Sequence, residues 1–126
     1  MQKSEIRAKT KNYSKGKSSE TEAKKYLENM GFKLIEANYD CDIGEIDLIM
    51  ADSDWLVFVE VKFKADDRMG KPEEMISRRK LAQVRRVAEW YLMEHEEMRK
   101  RYQKYRIDAV CMLGKEIKHY ANCGET

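Results

Sequence analysis

The stretch from Gly44 to Lys64 constrains the fold more than any other part of this chain. Two segments rich in apolar and β-branched residues, 45–50 and 56–63, flank a short turn of aspartate and serine, which predicts a β-hairpin. The second segment is apolar on both faces, as in a strand that is covered on both sides of a sheet. It nevertheless contains Glu60 and Lys62, and burying such charges is costly unless they are paired or used.

The hairpin geometry brings a second carboxylate to Glu60. If residues 53–54 form a two-residue turn, Asp47 lies directly opposite Glu60, and Glu45 lies opposite Lys62. Opposed Cβ atoms are about 4.5–5.5 Å apart, and two carboxylates at that distance repel unless a cation or a shared proton lies between them. Magnesium is usually held by one or two carboxylates together with a substrate phosphate. The pattern therefore predicts a metal site with a fixed positive charge beside it.

The competing interpretation is a surface charge pair, in which Lys62 is simply the counter-ion of Glu60 on an exposed face of the sheet. That is the usual meaning of an isolated Glu-x-Lys in a strand. The apolar surroundings and the register with Asp47 make the metal site an equal alternative on the residues alone.

Length and composition narrow the class of protein. The chain has 126 residues, which suits a single domain with one core. No apolar run approaches the ~20 residues of a membrane span, and no hydrophobic signal opens the chain, so we expect no membrane partner. The three cysteines are odd in number and lack C-x-x-C spacing, which predicts free thiols, argues against zinc and makes the cytoplasm the default location.

The charge is unevenly distributed. Residues 1–17 carry six Lys or Arg and one Glu, whereas the remaining residues carry nineteen basic against twenty-two acidic side chains. We therefore predict a flexible basic arm over 1–17, a single domain over 18–122 and a short tail over 123–126. Phosphate contacts by the arm would come from Lys11, Lys15 and Lys17. A solvated, disordered terminus is the alternative.

The remaining elements are arranged around the hairpin. Ser18 or Ser19 can cap a first helix, because Ser19 and Glu22 fit a capping box, and Gly31 would end that helix. A strand over 32–39 then leads into the hairpin.

A second, amphipathic helix is predicted from Pro72 to about Arg99, followed by strands over 105–113 and 116–120. Three meander strands, a crossover helix and a further strand predict an α/β fold. We expect a three-layer sandwich whose mixed central sheet has four to five strands and is flanked by helices.

Basic residues crowd the first half of that second helix. Arg78 and Arg79 are suited to follow a nucleic-acid backbone, although a solvated helix face explains them equally well. Lys80 lies closest to the apolar stripe and is the best placed of them to reach inward.

Several motifs in this order carry a family resemblance: Glu20-x-x-Ala23-x-x-Tyr26-Leu27 with Gly31, Asn38, Gly44–Ile49, Val57–Lys62, Lys80, Tyr105–Val110 and Ile117-x-His119. The chain resembles the PD-(D/E)xK phosphodiesterase superfamily, whose fold is restriction-endonuclease-like. It is most similar to the YraN-like family of small bacterial proteins predicted to be endonucleases. The resemblance covers roughly residues 18–122, and it implies the helix, strand and crossover order deduced above.

The resemblance implies a metal-dependent endonuclease that hydrolyses phosphodiester bonds in DNA. Asp47, Glu60 and the carbonyl of Val61 would hold Mg²⁺ or Mn²⁺. Lys62 would orient or deprotonate the attacking water, and Glu20 would support the metal or its water. The dipole of the first helix would by itself justify an acid near its start, so only the resemblance brings Glu20 into the site.

Glu45 and Lys80 would then form an outer layer of this site. The implied partner is duplex, branched or single-stranded DNA, with RNA second to it. Cleavage of a junction requires two coordinated cuts, so that substrate would imply a homodimer. Asp40 and Phe63 depart from the family pattern, and they keep open a catalytically inactive module that binds nucleic acid or docks a protein.

Overall fold

The computed structural model describes residues 13–64 and 76–123, with side chains described from residue 18 onward. The elements follow in the order α1 (Tyr13–Asn29), β1 (Lys33–Asp40), β2 (Glu45–Asp52), β3 (Trp55–Lys64), α2 (Arg78–Glu94), α3 (Glu96–Arg101), β4 (Lys104–Leu113) and β5 (Glu116–Tyr120). Residues 1–12 of the predicted arm lie outside the described residues.

The five strands form one mixed sheet in the order β1-β2-β3-β4-β5. The pair β3–β4 is parallel, and the other three pairs are antiparallel. A parallel pair needs a crossover connection, and α2 lies on it. The predicted α/β class and the predicted order of elements are confirmed.

Two apolar clusters cover the two faces of the sheet and make the sandwich three-layered. The cluster beneath α1 contains Ala23, Leu27, Phe32, Leu48, Met50, Val57, Val59, Val110 and Met112. The cluster beneath α2 contains Ile46, Ile49, Leu56, Phe58, Val84, Val87, Ala88, Tyr91 and Ile107. Because β3 contributes to both clusters, it is the central, doubly covered strand that its composition predicts.

The first helix begins earlier than its capping signal predicts. It starts at Tyr13, so Ser19 lies inside the helix, where it is buried, and the predicted cap at Ser18 or Ser19 is wrong. The predicted end is confirmed, since Gly31 follows the helix with a left-handed backbone (φ 103°). Residues 13–17, assigned to the flexible arm, are helical in their backbone.

The second helix starts later than predicted. Ser77 has an extended backbone (φ −78°, ψ 163°) and its hydroxyl accepts a hydrogen bond from the Lys80 N–H at 3.1 Å. That cap makes Arg78 the first helical residue, so a continuous helix from Pro72 is wrong. Pro72 itself lies within 65–75, outside the described residues.

The same helix also stops before Arg99. His95 leaves the helical conformation (φ −128°, ψ 74°), and a separate short helix, α3, follows. The His95 ring stacks on Tyr91 with 3.9 Å between centroids, and its Nδ1 lies 2.8 Å from the Tyr91 carbonyl oxygen. This local contact competes with continuation of the helix, and no periodicity in the sequence signals it.

Two expectations from composition can be compared with the structure. All three cysteines are free thiols, as predicted. In the part of the chain that the structure describes, no helix combines the length and apolar character needed to cross a bilayer.

Candidate metal centre

The sheet opens between β2 and β3 at the end remote from their turn. The predicted pairing of Asp52 with Trp55 is confirmed, and the ladder continues in that register to Leu48 and Val59, where it ends. Beyond that point β2 stays paired with β1, and β3 stays paired with β4. The predicted direct pairing of Asp47 with Glu60 is therefore not formed, because the ladder ends one step earlier.

Asp47 lies at the apex of this opening and takes the place of a ladder partner. Its Oδ2 accepts a hydrogen bond from the Val61 N–H at 2.8 Å. The N–H and C=O of one strand residue point to the same edge of the strand. The Val61 carbonyl oxygen is therefore directed toward the opening, where it can serve as a ligand.

The opening coincides with an irregularity in β2. Ile46 and Ile49 both pack beneath α2, whereas Leu48 packs beneath α1. Residues three apart in a regular strand point to opposite faces, so the alternation is interrupted at Asp47. On the other side of β2, the ladder with β1 keeps one register from Ala37–Leu48 to Tyr39–Ile46 but lacks the pair between Asn38 and Asp47. Asn38 has a left-handed backbone (φ 57°).

Three carboxylates from two elements meet at this irregularity. One oxygen each from Glu20 on α1 and from Glu45 and Asp47 on β2 lie within 4.8 Å of one another. Glu20 is held there by the Asn38 side-chain amide, whose Nδ2 donates to Glu20 Oε1 at 2.8 Å. Two ligands on opposite sides of Mg²⁺ are about 4.2 Å apart. This all-oxygen donor set therefore fits a hard divalent cation after a small contraction.

Glu60 lies beside these three carboxylates and faces a different partner. It is only 7% exposed, and its Oε2 lies 3.8 Å from the Lys80 ammonium of α2. Lys62, two residues farther along β3, is exposed. Lys80, assigned to the outer layer of the site, is thus placed next to a predicted metal ligand.

The electrostatics of the acids are unfavourable without a cation. Burial, and then the charge of Glu60, raise the pKa of Asp47 well above its usual range, against the lowering effect of the Val61 N–H. Burial raises the pKa of Glu60 to about 7, although Lys80 and Lys62 act in the opposite direction. Glu20 and Glu45 raise both pKa values further. The site therefore favours either bound protons or a bound cation near neutral pH.

The turn between β1 and β2 is held against α2, and this fixes the start of β2. The Gln83 side chain donates from Nε2 to the Ile43 carbonyl at 3.2 Å. A Cβ on Gly44 would lie 2.8 Å from that same nitrogen, so a larger residue there would displace the Gln83 amide. Glu45 follows directly. The role of Gln83 cannot be predicted from the sequence, because a glutamine in an amphipathic helix matches no motif.

The predicted nucleic-acid contacts are only partly described. Arg78 and Arg79 are exposed in the first turn of α2. Lys15 and Lys17 lie in the first part of α1, where only the backbone is described, and Lys11 lies outside the described residues.

A second buried acid, Asp108 on β4, has a complete set of partners. Its carboxylate receives hydrogen bonds from Arg106 Nε at 2.9 Å and from the Asn122 N–H at 2.9 Å, and it contacts His119 Nε2 at 2.8 Å. Burial by itself would raise the pKa of Asp108, but the bonds from His119, Arg106 and Asn122 lower it below its usual value. We read Asp108 and His119 as structural.

Comparison with known sequences identifies the family of this chain. The profile described as "Uncharacterised protein family UPF0102" matches residues 19–112. A UPF0102 protein of Lachnoclostridium phytofermentans is 36% identical over 107 residues, covering 85% of this chain and 89% of that protein. A UPF0102 protein of Beutenbergia cavernae is 40% identical over 98 residues, covering 78% and 80%. A third, from Persephonella marina, is 34% identical over 108 residues, covering 86% and 90%. The chain therefore belongs to the UPF0102 family, also called the YraN family.

Proposed function

We propose that this protein is a metal-dependent endonuclease that hydrolyses phosphodiester bonds in DNA. The observation that carries the proposal is the opening between β2 and β3, where the half-buried Asp47 and the buried Glu60 act on each other electrostatically and both have raised pKa values. Charged carboxylates held this close together and partly withdrawn from water are costly to the fold. That cost is expected at a site whose charge is completed by a bound ion.

The oxygen donors are suited to Mg²⁺ or Mn²⁺. Asp47, Glu60 and the Val61 carbonyl would hold the ion, with Glu20 and Glu45 adding negative charge from the other side of Asp47. When bound, the ion would supply Lewis-acid polarisation of the phosphate and a more acidic water.

The cationic side chains around the opening have separate tasks. Lys62 is exposed next to Glu60 and can orient or deprotonate a water molecule, or offset the charge that develops on the phosphate. Arg78 and Arg79 would contact the DNA backbone without reading its sequence. If the substrate is a junction, two coordinated cuts would require a second copy of the chain.

The test is cleavage of labelled oligonucleotides with Mg²⁺ and Mn²⁺. Duplex, branched and single-stranded DNA should be compared with RNA of the same sequence. We expect cleavage of at least one DNA substrate, and its loss in Glu60→Gln and Asp47→Asn. Glu89→Gln is the matched control, because Glu89 is an exposed acid on α2.

Two outcomes would contradict the proposal. Undiminished cleavage by Glu60→Gln, purified in parallel with the wild type, would place the activity elsewhere. Salt-sensitive DNA binding with no cleavage for any metal or substrate would favour the inactive binding module instead.

A further inference from the structure

Asn38 occupies a position where an asparagine needs an explanation. Its backbone is left-handed (φ 57°) although it lies in a strand, and its pair with Asp47 is missing from the β1–β2 ladder. Glycine adopts this conformation at no steric cost, and asparagine is the side chain that tolerates it next best. Of the left-handed residues with side chains in the described part of the chain, Ser53 and Asn122 lie in turns, whereas Asn38 lies inside a strand.

The Asn38 side chain reaches across to α1. Its Nδ2 donates to Glu20 Oε1 at 2.8 Å, between residues 18 positions apart in the chain and in partly buried surroundings. A glutamate has three side-chain torsions, so one short hydrogen bond from a rigid strand restricts where its carboxylate lies. The same carboxylate lies within 4.8 Å of those of Glu45 and Asp47.

The chemistry of the donor also matters. A carboxamide is neutral, so it holds the carboxylate without cancelling its charge. A lysine or arginine in its place would pair with Glu20 and repel a cation at the same time. Ligands of metal ions are commonly oriented by such outer hydrogen bonds, whose loss weakens metal binding.

We infer that Asn38 is a positioning residue, which holds the Glu20 carboxylate beside Asp47 and Glu45 so that the three oxygens can act together on a divalent cation. This inference rests on the proposed metal-dependent function. It adds that Asn38, through its left-handed backbone and its side-chain amide, forms part of the same site.

The test uses Asn38→Gly, which keeps the left-handed backbone and removes only the amide. The readout is Mn²⁺ affinity, measured by calorimetric titration of the full chain without nucleic acid. We expect the affinity to fall about 10- to 100-fold, while the thermal midpoint of the metal-free protein stays close to that of the wild type. The matched control is Asn122→Gly, since Asn122 is also left-handed (φ 55°) but bonds Asp108 through its backbone N–H.

A double-mutant cycle separates positioning from a general effect on the fold. If Asn38 acts through Glu20, adding Asn38→Gly to Glu20→Gln should weaken Mn²⁺ binding no further. Additive losses, or wild-type affinity in Asn38→Gly, would overturn the inference while leaving the proposed function intact. A wild-type protein that binds no Mn²⁺ would overturn both.

Discussion

Two buried acidic centres in this molecule are built in opposite ways. Asp108 is fully buried, and three groups from two strands and a turn bond to it and lower its pKa. Glu60 is also buried and Asp47 is half-buried, yet they lie near two further acids, and their pKa values are raised. A carboxylate that accepts several hydrogen bonds stabilises its surroundings, whereas neighbouring carboxylates that repel one another favour a bound proton or cation.

The difference follows from which strands enclose each acid. Asp108 lies on β4, and its partners come from the same strand, from β5 and from the turn after it. Asp47 lies where two neighbouring strands stop pairing, and the Val61 N–H bonds to its carboxylate. An acid beside a paired strand, such as Asp108 beside β5, can therefore bond to side chains of that strand. At the opening, β2 and β3 are not paired.

The largest expected effect is on activity. Glu60→Gln or Asp47→Asn should reduce metal-dependent cleavage by about 10³-fold or more, since a bound metal is worth several kcal/mol in the transition state. The thermal midpoint without metal should stay the same or rise, because one repelling charge is removed. Cleavage rates and calorimetry on the same preparations would check both parts, and a folded variant with wild-type rates would contradict them.

Asp108→Ala should lower the stability of the fold and leave metal binding unchanged. It leaves the Arg106 guanidinium, 11% exposed, without its principal partner, and breaking a buried ion pair costs about 3–5 kcal/mol. We expect that loss in urea unfolding, with Mn²⁺ affinity of the folded fraction unchanged. Equal losses of stability from Asp108→Ala and Glu60→Gln would remove the distinction between the two centres.

The two centres should also respond to pH with opposite sign. Glu60 has a pKa of about 7 in the folded protein against an ordinary value of 4.5. Its contribution to the stability of the metal-free protein is therefore complete below pH 4.5 and is lost as pH rises through 7, by up to about 3 kcal/mol.

Asp108, whose pKa is lowered from 3.8, stabilises above that value and loses its contribution as pH falls below it. Unfolding midpoints between pH 5 and 8.5 should therefore decline toward high pH in wild type, and less so in Glu60→Gln. Millimolar Mg²⁺ should remove most of this decline. A flat wild-type profile over this range would contradict the raised pKa of Glu60.

The smallest effect concerns Lys80. Its ammonium is 41% exposed and 3.8 Å from Glu60, so the pair is partly screened. Lys80→Met should destabilise the metal-free protein by no more than about 1 kcal/mol at pH 8. Lys100→Met, which removes an exposed pair with Glu96, is the control and should have less effect. A larger loss in the control would show that Glu60 does not depend on Lys80.

Local patterns in the sequence were sufficient for the sheet. The aspartate and serine turn predicts the hairpin register from Asp52 to Trp55, and apolar segments bounded by turn residues locate all five strands to within about two residues. Both features are encoded by residues close together in the chain. Glu60 and Lys62 stood out for the same reason, as charges inside an apolar strand.

The helix boundaries were less accessible to such patterns. Ser77 caps α2 without a capping-box partner, and the His95 ring ends it by stacking on Tyr91. Residues near Ser19 carry a strong helix-start signal, yet the helix extends to Tyr13. Each of these outcomes depends on side-chain contacts that compete with periodicity.

Strand order along the chain, the hairpin register and the presence of acids beside a lysine all follow from residues that are neighbours in the sequence. Which acids share one site depends on how the elements pack. The packing of α1 brings Glu20 to Asp47. The left-handed Asn38 lies beside Asp47, where the β1–β2 ladder lacks one pair. The ladder stops before Asp47 can pair with Glu60. Distances between elements depend on how helices pack on a twisted sheet, and no local pattern of residues specifies that.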